Sequence, residues 1–295
     1  MVRDTIVMLG GVATWGQLVA VHGDAPVRAA VGRGEVERTA RGRYSRPGIP
    51  DLQRFAHANH AIVSGLSAAE WHGWPVLRAA RKPWITVPRS RGRAALPAGA
   101  AHIAYADLPT REHVLGVTRP MRTVLDCARW LPLTEALAVA DSAVRRGAID
   151  TLDLRRRADA VHGPGAARVR KVAALASPIV ANPLESAARA LTVRAVDLPF
   201  RPQLQVCDSG LFATVDLGNE ELRIAIEVEG YAFHGGPREF ARDCLRYTEL
   251  VAFGWLVVRL TYTDIVHHPT WSMWAIDATV RQRRNQPISS PPSRA

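Results

Sequence analysis

Residues 212–230 read FATVDLGNEELRIAIEVEG, and the reading of this stretch decides the fold of the last third of the chain. Ile224, Ile226 and Val228 alternate with Ala225, Glu227 and Glu229. Side chains along a strand point to opposite faces with a period of two, so Glu227 and Glu229 share one face. Like charges side by side on a strand repel, and such a pair calls for a compensating partner. Working backward, FATVDLG reads as a preceding strand that ends near Asp216, with a turn at Gly218–Asn219. A hairpin of that size brings Asp216 beside Glu227.

The flanking segments extend the pattern. NPLESAARALTVRAV reads as a helix opened by Asn182 and Pro183, with Glu185 in its first turn and able to point at the sheet. REFARDCLRYTELVAFGW reads as a long helix carrying Asp243 and Arg246, and WLVVRLTYTDI as a buried strand. An Asp followed by Glu-x-Glu on adjoining strands offers hard oxygen ligands to Mg²⁺ or Mn²⁺: Asp216, Glu227 and the carbonyl of Val228. Such a cation would polarise a scissile phosphate and activate water. The competing reading is a solvated acidic face whose carboxylates pair with arginines.

The whole chain has 295 residues, is 47% hydrophobic and carries a formal net charge of +11. That length supports two or three globular cores, and that charge points to a polyanionic partner, above all nucleic acid. Cys127, Cys207 and Cys244 lie far apart with no C-x-x-C spacing, which argues against a disulfide framework or zinc site and fits a reducing cytoplasm. No apolar run reaches membrane-spanning length and the start shows no secretory pattern, so the expected location is cytoplasmic, with no membrane partner.

The first fifty residues are the most readable. Thr14 can cap a helix that stops at Gly23; Asp24 can cap a second, with Pro26 in its first turn and Gly32 and Gly34 at its end. EVERTARGRYSRPG then folds back as a hairpin around Arg41–Gly42. Helix, turn, helix and basic hairpin describe a winged helix-turn-helix. Residues 1–50 hold seven arginines against four acids, a net of +3. The candidate contacts to double-stranded DNA are Arg28 and Arg33 on or beside the recognition helix, and Arg38, Arg41, Arg43 and Arg46 on or beside the wing.

The expected organisation is α+β: a winged helix over 1–50, an α/β middle region over 51–165, a mixed sheet flanked by helices over 166–284, and a disordered Pro/Ser-rich tail over 285–295. In the middle region WITV and HIAY read as strands, and MRTVLDCARWL and TEALAVADSAVRRG as amphipathic core helices. His57, His60 and His72 read as capping and core histidines, since no third metal ligand has suitable spacing. Arg89, Arg91 and Arg93 form a basic loop that could extend a DNA footprint.

Two resemblances attach to these motifs. The stretch GGVATWGQLVAVHGDAPVRAAVGRGEVERTARGRYSRPG, with its Arg41-Gly42-Arg43-Tyr44 end, resembles the N-terminal winged helix of AbiEi-type antitoxins, and WITVPRSRGR with VTRPMRTVLDCARWLPLTEALAVADSAVRRG is similar to the region that follows. This resemblance implies a transcriptional regulator that represses its own toxin–antitoxin operon and neutralises a nucleotidyltransferase-like toxin. The ordered set PLES, VDLG, IEVEGYAFHG, RDCLR and GWLVVRLT resembles the PD-(D/E)xK superfamily, within it the very-short-patch-repair-like domains. That implies a restriction-endonuclease-like fold and, as an alternative function, a Mg²⁺- or Mn²⁺-dependent DNA endonuclease. Its site residues would be Glu185, Asp216, Glu227, Glu229 and His234, with metal on Asp216 and Glu227. The third motif position, usually Lys, or Asp in closer relatives, is Glu229, and Thr214 stands where those relatives often have Arg. A fold of this kind without turnover, used for DNA or protein binding, is the further alternative.

Overall fold

Val2 and Ile6 lie one helical turn apart and both turn inward, which makes α1 (Val2–Met8) the lid of the first core. The computed structural model describes residues 1–91, 99–208, 210–230 and 237–294. After β1 (Val12–Thr14), Thr14 opens α2 (Trp15–His22): its Oγ1 accepts the Gln17 N–H at 3.2 Å while Gln17 Oε1 accepts the Thr14 N–H at 2.8 Å. Gly23, at φ 78, ends α2 and precedes α3 (Asp24–Gly32). Asp24 does not cap α3 as expected; it is the first helical residue and its carboxylate is drawn to Arg28 one turn on. The wing is β2 (Glu37–Ala40) and β3 (Arg43–Ser45), joined through Gly42 at φ 70. These strands form an antiparallel sheet in the order β1-β3-β2. Ile6, Leu18, Val27, Ala30, Val36 and Tyr44 close the core between helices and sheet. This order of elements and this sheet are those of a winged helix.

Downstream come α4 (Asp51–Ala58), β4 (Ile62–Val63), α5 (Gly65–Trp71), β5 (Trp84–Val87), β6 (His102–Tyr105), β7 (His113–Val114), β8 (Val117–Thr118) and α6 (Pro120–Trp130). The two expected strands, β5 and β6, pair in parallel within a sheet ordered β6-β5-β4-β8-β7. The other three strands are two residues long, too short to leave a period in the sequence.

The remaining elements are α7 (Leu133–Arg145), α8 (Thr151–Asp159), α9 (Ala166–Leu175), α10 (Pro183–Ala195), β9 (Arg201–Asp208), β10 (Leu211–Asn219), β11 (Ile224–Glu229), α11 (Pro237–Ala252), β12 (Leu256–Thr261), α12 (Tyr262–His267) and α13 (Pro269–Arg283). Their sheet is mixed, in the order β12-β11-β10-β9, with β11 and β12 parallel and the other pairs antiparallel. Ile226, Leu217 and Leu260 pack on α10, α12 and α13. Ala225, Val215, Leu204 and Val206 face Leu250 of α11. Both faces of the sheet are therefore covered by helices, and the architecture is α+β as expected.

The chain divides into two compact units, one of Met1–Trp74 with Arg78–Cys127, the other of Pro75–Leu77 with the residues from Ala128 onward. Winged helix and middle sheet thus belong to one unit, and α7 and α8, expected with the middle region, to the other. The cause is α7, which is buried from Glu135 to Val144 and is tied to α10 by the Asp141–Arg189 ion pair at 2.7 Å.

Two further expectations change. The turn expected at Gly218–Asn219 lies at 220–223, because Gly218 and Asn219 still pair with Ala225 and Ile224. The strand β12 is an edge strand, only partly buried. From the tail, the Ser289 carbonyl accepts from Trp274 Nε1 at 2.9 Å, and the Arg294 guanidinium lies 4.4 Å from the Trp271 ring centroid. None of the three cysteines is in a disulfide; Cys127 is buried, Cys207 and Cys244 are exposed. No helix among the described residues is long and apolar enough to cross a membrane.

Candidate functional site

Four of the six arginines expected at DNA are exposed: Arg28 on α3, Arg33 just after it, Arg38 on β2 and Arg41 at the wing tip. Arg28 Nε donates to Asp24 Oδ1 at 2.9 Å, and its guanidinium lies 5.9 Å from the Trp15 ring centroid. Arg33 Nε donates to Glu35 Oε1 at 2.7 Å. Such solvent-exposed pairs are weak and yield readily to a phosphate. Arg46 is half-buried, packed over Gly11, and donates to its neighbour's Pro47 carbonyl at 3.3 Å.

Arg43 differs from expectation. It is half-buried and directs its guanidinium to the Nδ1 atoms of His57 and His60 at the end of α4. The partner of the two histidines is thus an arginine, and Arg43 braces the wing. His57 Nε2–H in turn donates to the Ala13 carbonyl at 3.0 Å. Burial, with the nearby Arg43 adding to it, pushes the His57 ring down to about 4 against the pull of that carbonyl. His72 is held similarly, donating to the Thr118 carbonyl at 2.9 Å and stacked on Trp74.

In the second unit the acidic residues do converge. The ladder between β10 and β11 stops at Leu217↔Ile226, and the strands part there. In the fork, Asp216 Oδ2 accepts the Val228 N–H at 2.8 Å, so a side chain does what a backbone carbonyl does elsewhere in the ladder. Asn182 caps α10 and holds Glu185, whose Oε1 accepts from Asn182 Nδ2 at 2.6 Å and whose Oε2 accepts from the Ala181 N–H at 3.0 Å. Gln203 joins the two carboxylates, donating to Glu185 Oε2 at 2.9 Å and reaching Asp216 Oδ1 at 3.4 Å. Gln203 holds φ 50, a strained backbone for a non-glycine residue. Sequence reasoning missed Gln203, because β9 itself was not legible.

Glu227 and Glu229 fall on the face covered by α11, as their alternation requires. Arg246 Nη1 donates to Glu227 Oε1 at 2.8 Å and to the Thr214 carbonyl at 3.1 Å. Its other nitrogen, Nη2, donates to Tyr247 Oη at 3.1 Å and to Asp243 Oδ1 at 3.5 Å. Tyr247 Oη donates to Glu229 Oε1 at 3.0 Å, and Arg259 Nη2 donates to the same oxygen at 2.8 Å. The guanidiniums of Arg246 and Arg259 lie 4.7 Å and 4.5 Å from the Tyr247 ring centroid. His234 lies outside the described residues.

Burial raises all three of Glu185, Asp216 and Glu227 above the ordinary carboxylate range. Glu227 goes furthest, to about 8, because burial and the neighbouring Asp216 together outweigh Arg246. Burial also pushes the Tyr247 phenol up, so it remains a donor at neutral pH.

The donor set does not fit a divalent cation. Glu227 Oε1 already accepts from the Arg246 guanidinium, Glu229 serves Tyr247 and Arg259, and Asp216 Oδ2 is taken by the backbone. Among the described residues no group of three or more His, Cys, Asp or Glu side chains is placed to hold a metal ion.

No family model matches the chain. Two curated relatives, "Uncharacterized protein MT2308" and "Uncharacterized protein Rv2248" from two strains of Mycobacterium tuberculosis, are each 29% identical over 156 residues. That match covers 52% of this chain and 57% of each relative. The crystal structure of the Rv2827c protein from Mycobacterium tuberculosis aligns with 71% of this chain and 85% of its own, at 14% identity and a TM-score of 0.30, a likeness too slight to carry an argument.

Proposed function

We propose that the chain is a DNA-binding transcriptional regulator of antitoxin type. In this reading the first unit recognises operator DNA in its own promoter, and the protein also neutralises a nucleotidyltransferase-like toxin made from the same operon. The observation that supports it is the winged helix with Arg28 on α3 and Arg41 at the wing tip, both exposed. The helix enters the major groove and the wing lies along the phosphates. The net charge of +11 favours the encounter with DNA.

The test is DNA binding by the full chain, measured by fluorescence anisotropy on its promoter and on a scrambled duplex over a range of salt. Arg41→Ala weakens binding to both duplexes and reduces the log–log salt slope by about 1. Arg28→Ala weakens the promoter complex more than the scrambled one. Binding that is insensitive to salt and to both substitutions refutes the reading. Co-expression with the product of the neighbouring gene tests the toxin: unchanged growth inhibition at every expression level removes the antitoxin part.

A further inference from the structure

The network around Glu227 has a cation at its centre, and that cation belongs to the protein. Arg246 reaches across from α11 to Glu227, and one nitrogen, Nη1, bonds both this carboxylate at 2.8 Å and the Thr214 carbonyl at 3.1 Å. A carboxylate beside a backbone carbonyl, with Asp216 across the strand fork, is the ligand chemistry that a hard divalent ion seeks. Here those oxygens face a guanidinium. Arg246 is itself fixed, since its other nitrogen bonds Tyr247 and reaches Asp243, and Tyr247 is held by Glu229. Arg259 closes the array by neutralising Glu229. Each of the two glutamates of the Glu-x-Glu pair therefore has its own arginine.

We propose that Arg246 is the resident cation of this site, a tethered guanidinium that stands in the place of a divalent metal and keeps the nuclease-like unit metal-independent. Arg246 is a positioning residue in this proposal: it fixes Glu227 and holds β10, β11 and α11 together at the fork. An arginine in this role cannot polarise a water molecule as a metal does. The second unit then contributes a binding surface or a scaffold, and phosphodiester cleavage is not expected from it.

The experiment is a direct measurement of Mn²⁺ retention. The electron paramagnetic resonance signal of free Mn²⁺ is titrated with the full chain, with Arg246→Met and with Arg246→Met/Asp216→Asn, alongside melting curves. Wild type leaves the Mn²⁺ signal and its own melting temperature unchanged. Arg246→Met binds one Mn²⁺ per chain and gains ~5 °C in melting temperature at saturating metal; the double variant loses both effects. Stoichiometric Mn²⁺ binding by wild type, abolished by Asp216→Asn, overturns the proposal. So does an Arg246→Met variant that keeps the wild-type circular dichroism yet binds no Mn²⁺. If Arg246→Met does not fold, Arg246→Lys takes its place. It retains the charge without the fork, so it is expected to fold and to exclude Mn²⁺. Mn²⁺ uptake by a folded Arg246→Lys counts against the proposal.

Discussion

His57 shows what a single ring does for the first unit. Buried against the Ala13 carbonyl and facing Arg43, it is held neutral, with its pKa lowered from 6.5 to about 4. The unfolded chain therefore binds the proton first as pH falls. The stability that rests on a neutral ring is complete above pH ~6.5 and is lost progressively toward pH ~4. Between pH 7.5 and pH 5 the wild type should lose on the order of 2 kcal/mol more than His57→Gln, read from denaturant midpoints at the two pH values. Equal losses would mean that the ring is not held neutral. In the sequence, His57 was legible as a core histidine, and His60 lies past the end of α4 at φ 57. Their partner was not legible, because Arg43 arrives from the wing, and only the tertiary fold brings it there. The acidic site divides the same way: alternation put Glu227 and Glu229 on one face and the long helix carried Arg246, whereas Tyr247, Arg259 and Gln203 were not legible as its partners.

The hairpin of β10 and β11 was legible in its alternation but not in its length. Gly218–Asn219 carries the composition of a turn, yet both residues stay in the ladder. Gly218 is there for space. A Cβ at this position would sit 2.2 Å from Leu204 Cδ2 and 3.0 Å from Val215 Cγ2. Gly218→Ala should therefore destabilise the second unit by about 1–3 kcal/mol through overpacking, measured by chemical denaturation. A neutral substitution would show that Leu204 moves aside freely. The neighbouring strand β9 escaped the sequence reading because it opens with Arg201–Pro202 and shows only Leu204 and Val206 as alternating apolar residues. It tolerates Pro202 as an edge strand, where a missing N–H costs little. Helices with caps were the most legible elements: Thr14 for α2 and Asn182 for α10 act as their residue types suggest.

For the whole molecule, the division into two units turns on α7. Its periodicity announces a buried helix but not what buries it, so residues 128–165 read as belonging to the middle region. The structure assigns them by the Asp141–Arg189 pair, in which Arg189 Nη2 donates to both carboxylate oxygens at 2.9 Å and 2.7 Å, while Asp141 also accepts the Ser177 N–H at 2.8 Å. Breaking such a pair strands a buried charge. Asp141→Ala should cost the second unit about 3–5 kcal/mol, seen as an earlier calorimetric transition, and Asp141→Leu/Arg189→Met should recover most of it. A single-variant cost no larger than a surface change would argue against α7 as the organiser of this unit. The distribution of thiols has a practical consequence of its own. The first unit holds only the buried Cys127, whereas Cys207 and Cys244 are exposed on the second. A maleimide fluorophore will thus mark the second unit and spare the arginines of the first. With Cys244→Ser leaving one handle at Cys207, energy transfer from end-labelled DNA becomes a ruler that tells which unit the duplex lies against.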